Sequence, residues 1–235
     1  MLPAIIAHRG ASYLAEHENT LEAFQLAIDI KADYVEFDIR RTKDKKLIVV
    51  HDAEIDGKPY SDLTYEDICE LTGSMGYRIP LLLDVLKLCQ NKIKLDIELK
   101  ETGYEKQVIK MVSEMYHYDS FMMKSFIDTS VAKIKMIDSN IKAGLLIGMQ
   151  YANAKRRFNE YFPERRLKAC SADFVSPHYS IATREFIFRM HHAHKEIYVW
   201  TVNDIKNIDT FMRRRVDGII TDMPDAAVYV KRSYQ

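Results

Sequence analysis

The chain has 235 residues, of which 47% are hydrophobic and 29% are charged, a balance that suits one folded globular domain with a substantial core. Lysine plus arginine equals aspartate plus glutamate, 34 of each, so the formal net charge is zero and no overall field attracts nucleic acid or a membrane surface. The three cysteines, Cys69, Cys89 and Cys170, are odd in number and widely spaced, which argues against a disulfide framework or a CxxC metal site.

The first ten residues, MLPAIIAHRG, contain a short apolar run without a basic region before it. This pattern predicts a buried strand rather than a signal peptide. No apolar run approaches the roughly 18 residues that a membrane-spanning helix needs. We therefore expect a cytoplasmic protein without stable membrane insertion.

Short apolar runs alternate with helical patterns along the chain. Nine runs are candidate strands: residues 4–8, 34–39, 47–51, 93–99, 121–126, 143–148, 172–177, 197–202 and 218–222. Segments with a helical spacing of apolar residues lie between most of them, and helix N-caps are expected at Thr20, Thr129, Thr183 and Asp204. This alternation predicts a parallel sheet, and the length favours a TIM (β/α)8 barrel, which takes about 250 residues.

Nine candidate strands compete for eight places in such a barrel. The link from Asp38 to Leu47 is too short for a crossover helix, because parallel neighbours need about a dozen connecting residues. Residues 47–51 are therefore predicted to return antiparallel, as the second arm of a hairpin that brings His51 back to the C-terminal rim. We interpret 53–78, with a short helix, as a small insertion after this arm, within a single domain that spans 1–235.

Carboxylates share one face of two predicted strands. YVEFDI places Glu36 and Asp38 on one face, and KLDIELK repeats the pattern with Glu98. Active sites of this barrel lie at the C-terminal strand ends, where three converging carboxylates repel one another unless a cation lies between them. Oxygen ligands alone suit a hard divalent cation, Mg²⁺ or Ca²⁺. The alternative is a solvated polar face, or ion pairs with Arg40 and Lys100.

Two histidines, His8 and His51, each end a predicted strand. Beside a cation and an arginine that can bind phosphate in bidentate fashion, Arg9, they suggest an acid/base pair. A salt bridge from Arg9 to one of the carboxylates is the alternative. Trp200, the only tryptophan, is either part of the core or an apolar wall against a small ligand at a strand end.

Ordered blocks of the sequence resemble the glycerophosphodiester phosphodiesterase family over nearly the whole chain. They are AHRGAS, ENTLEAFQLAI, ADYVEFDIRRTKDKKLIVVHD, IPLLLDVLKL, KLDIELK, VWTVND and DGIITDMPD. The resemblance implies a TIM barrel with a divalent cation, Mg²⁺ or Ca²⁺, that hydrolyses glycerophosphodiesters to glycerol 3-phosphate and an alcohol. The site residues that it implies are His8 and His51 as catalytic pair, Glu36, Asp38 and Glu98 as metal ligands, and Arg9, Lys100 and Trp200 as substrate-binding residues.

One departure and two rival functions accompany this resemblance. The family usually has proline where this chain has His17, so the first loop is expected to be more mobile. A lysophospholipase D-type or phosphoinositide phospholipase-like phosphodiesterase would keep the barrel and change the substrate, although no long apolar lip is evident. A non-catalytic phosphate-binding protein would keep Arg9 and the pocket. The expected partner is a small-molecule phosphodiester, and a homodimer is left open.

Overall fold

Each of the nine apolar runs predicted to be a strand forms one. In this computed structural model, which describes residues 2–148 and 154–234, the strands are β1 Ala4–Ala7, β2 Tyr34–Arg41, β3 Leu47–Val49, β4 Glu54–Ile55, β5 Lys58–Pro59, β6 Lys94–Leu99, β7 Phe121–Ser125, β8 Ala143–Ile147, β9 Phe174–Pro177, β10 Glu196–Val199 and β11 Gly218–Thr221. The helices are α1 Leu21–Ile30, α2 Tyr65–Ser74, α3 Leu82–Cys89, α4 Glu105–Ser113, α5 Asp128–Ile137, α6 Ala154–Tyr161, α7 Glu164–Ala169, α8 Arg184–His192, α9 Ile205–Arg214 and α10 Pro224–Arg232.

Eight of these strands run parallel and close into a ring, so the predicted TIM (β/α)8 barrel is confirmed. Their order around the ring is β1, β2, β6, β7, β8, β9, β10 and β11. The ring is closed because β1 pairs with both β11 and β2. All eight carboxyl ends therefore meet at one rim, where the polar residues that end the strands are brought together.

β3 lies outside the barrel and returns antiparallel along β2, as predicted. Ile39 on β2 lies opposite Val49 on β3. The Val50 N–H donates to the Asp38 carbonyl at 2.9 Å, which continues the pairing to the residue before His51. The hairpin thus returns the chain to the rim at the point where Asp38 lies.

The segment after this hairpin contains more structure than the predicted short helix. α2 corresponds to that helix, but a small hairpin of β4 and β5 precedes it. Asp56 and Gly57 both have positive φ, of 50° and 72°, as in the type I′ turn that an Asp-Gly pair favours. The segment buries an apolar cluster together with β3, formed by Ile48, Ile55, Tyr60, Tyr65, Ile68 and Ile79.

Three of the four predicted helix N-caps are confirmed. Side-chain oxygens of Thr20, Thr183 and Asp204 accept backbone N–H groups at the starts of α1, α8 and α9. The prediction at Thr129 is wrong, because α5 already begins at Asp128 and Thr129 lies inside the first turn. An acidic residue at this position is favoured by the helix dipole.

Buried apolar side chains form separate layers on the two faces of the sheet. The larger layer lies between the sheet and the helices and includes Phe24 and Phe186. A smaller cluster fills the barrel, where Phe174 packs with Ile6 and Ile220. Within the described residues, no helix combines the length and apolar content that crossing a membrane would require.

Candidate active site

Three carboxylates from neighbouring strands meet at the carboxyl rim of the barrel, and we call them the acid cluster. Glu36 and Asp38 lie on β2 and Glu98 lies on β6, and the register of these strands sets Asp38 beside Glu98. All three are buried, and each offers an oxygen within 4.8 Å of the other two. The alternation of the strands therefore brings together the side chains that the sequence grouped.

Lys100 lies between two members of the acid cluster. Its Nζ is 2.6 Å from Glu98 Oε1 and 2.9 Å from Asp38 Oδ1. Burial would raise the pKa of Asp38, but the charges of Lys100 and Arg9 outweigh it and hold that pKa well below its usual range. Asp38 is therefore ionised at neutral pH.

The charge of Glu98 is only partly balanced by the protein. Burial and the two neighbouring carboxylates raise its pKa to about 7, although the Lys100 ammonium opposes the rise. A carboxylate whose ionisation is this unfavourable is stabilised by an added cation. The acid cluster thus fits a divalent cation, and its oxygen donors suit Mg²⁺ or Ca²⁺.

His8 directly follows β1 and turns one edge of its ring toward the acid cluster. Its Nδ1 is 2.6 Å from Asp222 Oδ1, and its Nε2 is 4.0 Å from Glu36 Oε2. An ionised carboxylate can only accept, so the proton between His8 and Asp222 lies on Nδ1. This contact fixes the orientation of the ring and leaves Nε2 to exchange a proton inside the site.

Asp222 directly follows β11 and is held by its own neighbours. Ser12 Oγ donates to its Oδ1 at 3.1 Å, and the Asn203 side-chain amide donates to its Oδ2. The Asp222 backbone N–H donates to Asn203 Oδ1 at 2.9 Å. Burial would raise the pKa of Asp222, but the hydrogen bond and charge of His8 lower it below its usual range. The carboxylate therefore stays ionised beside His8.

His51 reaches the rim from the hairpin arm rather than from a barrel strand. Its Nδ1 is 2.9 Å from Asp52 Oδ1, and its carbonyl accepts from Arg40 Nε at 3.0 Å and Nη2 at 2.9 Å. Burial and the charge of Lys100 lower the pKa of His51, although Asp38 opposes the shift. His51 is therefore biased toward the neutral imidazole, the form that can accept a proton.

Arg9 lies in a sharp turn after β1. Its φ of 54° is followed by a φ of 85° at Gly10, where an added Cβ would lie 2.6 Å from the Ala23 carbonyl carbon. The Arg9 N–H donates to Glu36 Oε2 at 3.1 Å, and its Nη1 donates to Glu18 Oε1 at 2.8 Å. The left-handed turn thus brings both the backbone and the guanidinium of Arg9 to the acid cluster.

Arg9 and Lys100, the two side chains predicted to bind phosphate, also form ion pairs with the acid cluster. Arg9 Nε is 3.5 Å from Asp38 Oδ2, which is the salt bridge considered as an alternative, and Lys100 bridges Asp38 and Glu98. The side chains of Arg9 and Lys100 remain 19% and 11% exposed. Each therefore keeps an edge that a ligand in the mouth can reach.

Trp200 directly follows β10, which stands opposite β6 in the ring. Its Nε1 donates to the Ser176 carbonyl at 2.8 Å. Its ring makes edge contacts with Phe126 at 5.6 Å and with His178 at 5.1 Å between centroids. Trp200 packs against the apolar cluster inside the barrel, yet it is only half-buried, so it is both core and part of an aromatic wall at the rim.

A cleft of about 190 Å³ lies beside His51, between the first loop and the insertion. The ring of His17 in the loop stacks on Tyr77 of the insertion, with centroids 4.3 Å apart. Asn19 and Tyr60 also line the cleft. The first loop and the insertion therefore meet next to a residue of the predicted catalytic pair.

Some residues at the rim have no role in the sequence prediction. Asn19, in the ENT block, is buried and donates through Nδ2 to Asp38 Oδ2 at 2.9 Å. The sequence shows Asp222 only as one polar strand end among several, because nothing local marks its contact with His8, which is 214 positions away. Ser125 is another such strand end, but it donates to the Leu99 carbonyl at 2.7 Å and does not join the site.

A parallel barrel with ionisable groups gathered at its carboxyl rim defines a TIM-barrel enzyme. A family model described as "Glycerophosphoryl diester phosphodiesterase family" matches residues 8–226. A glycerophosphodiester phosphodiesterase of Bacillus altitudinis is 31% identical over 252 residues, which cover 97% of this chain and 97% of that protein. The chain therefore belongs to the glycerophosphoryl diester phosphodiesterase family, as its ordered sequence blocks predicted.

Solved structures agree with this fold. That of a glycerophosphodiester phosphodiesterase from Thermotoga maritima has a TM-score of 0.81 at 25% identity, covering 98% of this chain and 99% of that one. A phosphodiesterase from Oleispira antarctica, solved in complex with the product sn-glycerol-3-phosphate, has a TM-score of 0.82 at 20% identity, covering 97% and 96%. This chain thus has the same fold as these phosphodiesterases.

Proposed function

We propose that this chain hydrolyses glycerophosphodiesters to glycerol 3-phosphate and an alcohol, by metal-assisted acid–base catalysis. The observation that carries the proposal is the meeting of His8 and the acid cluster, with His51 beside them, at one rim of the barrel. Family membership supports the class of reaction. The related phosphodiesterase that holds sn-glycerol-3-phosphate supports the product.

Glu36, Asp38 and Glu98 would hold the divalent cation, Mg²⁺ or Ca²⁺. When bound, the cation would neutralise a non-bridging phosphate oxygen and stabilise the charge that develops in the transition state. Protein groups already orient two of these ligands, because Arg9 donates its backbone N–H to Glu36 and Asn19 donates to Asp38. Hydrogen bonds from the protein thus orient two of the three proposed ligands.

Arg9 and Lys100 bind the remaining charge of the phosphate. A guanidinium can donate two parallel hydrogen bonds to phosphate oxygens, and an ammonium supplies a compact positive charge. Each of them also contacts the acid cluster, so Arg9 and Lys100 would contact the phosphate and the carboxylates at the same time. Trp200, on the opposite side of the ring, would pack against the glycerol.

His8 and His51 move the protons. The lowered pKa of His51 favours it as the base that takes a proton from the nucleophile, either water or the glycerol 2-hydroxyl of the substrate. His8 is then the acid that protonates the leaving alkoxide through Nε2. Asp222 keeps the Nδ1 proton in place during this transfer.

Replacing either histidine tests the proposal. His8→Ala and His51→Ala are each expected to lower turnover by at least about 10²-fold, the low end for acid–base catalysis, without unfolding the chain. The measurement is release of glycerol 3-phosphate from a panel of glycerophosphodiesters with Mg²⁺, with Ca²⁺ and after EDTA. His192→Ala, on the exposed face of α8, is the matched control and should keep full turnover. Wild-type rates in His8→Ala or His51→Ala would refute the assignment.

A lysophospholipase D-type activity is the second candidate. Tyr13 and Leu14 are 70% and 53% exposed in the loop that follows His8, and apolar side chains beside the mouth favour a substrate with an acyl chain. Comparing glycerophosphocholine with lysophosphatidylcholine separates the two candidates. A preference for the lysophospholipid that Tyr13→Ser removes would favour the second candidate over the first.

A further inference from the structure

A lysine is buried inside the barrel, next to the acid cluster, at a position that the proposed function does not use. Lys124 lies on β7, and its side chain is 2% exposed. Its Nζ is 2.6 Å from Asp96 Oδ2 and 3.3 Å from Glu36 Oε1. One ammonium therefore joins a member of the acid cluster to a carboxylate outside it.

This buried ion pair is not explained by stability alone. Taking an ammonium and a carboxylate out of water is costly, and replacing such a pair with apolar residues of similar volume is often neutral or stabilising. The Lys124 ammonium instead forms ion pairs with two carboxylates, Asp96 and Glu36. The second of these pairs directs it at a member of the acid cluster.

Glu36 is held from two sides by different parts of the chain. Its Oε2 accepts the Arg9 N–H at 3.1 Å, while its Oε1 faces the Lys124 ammonium at 3.3 Å. The backbone contact restrains only one carboxylate oxygen directly. With both contacts, each Glu36 oxygen is held by a group of the protein.

We propose that Lys124 is a positioning residue for Glu36, with Asp96 holding the ammonium in place from its other side. The inference rests on the proposed function only through the cation that Glu36 would hold. Groups that orient a metal ligand typically account for about 10- to 100-fold in metal affinity. Removing Lys124 together with Asp96, which leaves the net charge unchanged, is therefore expected to weaken metal binding, even where the fold is kept.

The decisive variant combines Lys124→Met with Asp96→Asn. Lys124→Met alone would leave Asp96 buried without its cation, whereas the double variant removes both charges at similar volume. Calorimetric titration of the metal-free full chain with Mg²⁺ and with Ca²⁺ is expected to show a Kd at least about tenfold weaker than wild type.

Lys142→Met is the matched control. Lys142 precedes β8, at the opposite end of the barrel from the acid cluster, and its ammonium donates to the Tyr198 hydroxyl at 2.7 Å and to Glu196. It is therefore a barrel lysine in an ion pair that does not touch Glu36. Its removal should leave the Kd for both cations at the wild-type value.

The outcomes separate this inference from the proposed function. A wild-type Kd in the folded double variant would overturn the positioning role and leave Lys124 as a partner of Asp96 only. A wild-type chain that binds neither cation would overturn the inference together with the metal-assisted mechanism. Weaker binding in the double variant, from a chain that nevertheless releases no glycerol 3-phosphate, would support the inference and overturn the proposed activity.

Discussion

The ring orientation of His8 is set by Asp222, whose Oδ1 accepts a hydrogen bond from His8 Nδ1 at 2.6 Å. Asp222 is itself fixed by Ser12 and Asn203. A chain of hydrogen bonds thus runs from Asn203, in the loop after β10, through Asp222 to the ring of His8 beside Glu36. The position of His8, the proposed acid, consequently depends on the position of Asp222.

Asp222→Asn tests this dependence at the scale of one residue. An amide of the same size can donate to Nδ1 and so favour the tautomer with its proton on Nε2, with no negative charge to hold the imidazolium. We expect kcat to fall at least about tenfold, with a smaller change in KM. Steady-state kinetics on a glycerophosphodiester measure both constants.

Ser12→Ala is the companion variant for this experiment. It removes one hydrogen bond to Asp222 but keeps the charge beside His8, so its effect on kcat should be smaller. An Asp222→Asn protein with the kcat of wild type would show that the contact does not serve the reaction.

At the scale of elements, the turn after β1 determines where the Arg9 side chain lies. Gly10 has a φ of 85°, and it lies so close to α1 that a Cβ would meet the Ala23 carbonyl carbon at 2.6 Å. The turn carries Arg9 to Glu36 through a backbone hydrogen bond. Local backbone conformation and helix packing thus jointly place a charged side chain.

Gly10→Ala and Gly76→Ala form a matched pair, because Gly76 has a φ of 86° and open space around it. Both substitutions carry the left-handed backbone penalty of roughly 1–2 kcal/mol. Gly10→Ala adds the strain of overpacking, about 1–3 kcal/mol. Urea unfolding should therefore show the larger loss in the free energy of unfolding for Gly10→Ala. Equal losses would mean that α1 shifts away without penalty.

Much of the fold follows from patterns that are local in sequence. Short apolar runs predicted every strand of the barrel, and the short link after Asp38 predicted the antiparallel hairpin that carries His51. The small hairpin at Asp56 and Gly57 also had a local signal, the Asp-Gly pair, beside strands of only two residues each. Thr129 was wrongly predicted to be an N-cap, because α5 is capped two residues earlier, at Ile127, which offers no side-chain hydrogen bond as a local signal.

Parts of the site could not be predicted, for a physical reason. The contact of His8 with Asp222 and that of Lys124 with Glu36 depend on how distant strands are ordered and staggered around the ring. A lysine between apolar residues in FMMKSF looks like any strand residue until the barrel closes around it. Sequence patterns indicate which side chains share a face, but the register decides which atoms touch.

At the scale of the whole molecule, closing the barrel confines like charges in one place. Glu98 has a pKa raised to about 7 in the folded chain, against about 4.3 for an exposed glutamate. The stability gained by keeping Glu98 protonated is fully present below about pH 4.3 and is lost as the pH rises through 7. The metal-free protein should accordingly become less stable over this interval, as far as Glu98 contributes.

Cation binding should reverse this loss, because the metal requires the ionised carboxylate. At 100 times its Kd, a ligand of the folded state stabilises by about 2.7 kcal/mol. We expect the rise in Tm on adding a fixed concentration of Mg²⁺ or Ca²⁺ to be larger at pH 8 than at pH 5.5. Thermal unfolding with and without metal measures it, and Glu98→Gln should reduce the rise at pH 8. A rise of equal size at both pH values would contradict the prediction.

The insertion after His51 has a further consequence for how this enzyme can diversify. Its apolar cluster is built on β3 and on its own side chains, outside the layers that hold the barrel together, and it borders the cleft beside His51. Substitutions there can reshape the entrance while the acid cluster, which lies on β2 and β6, keeps its place. Substitutions in the insertion could thus accommodate new leaving groups without changing the residues at the barrel rim.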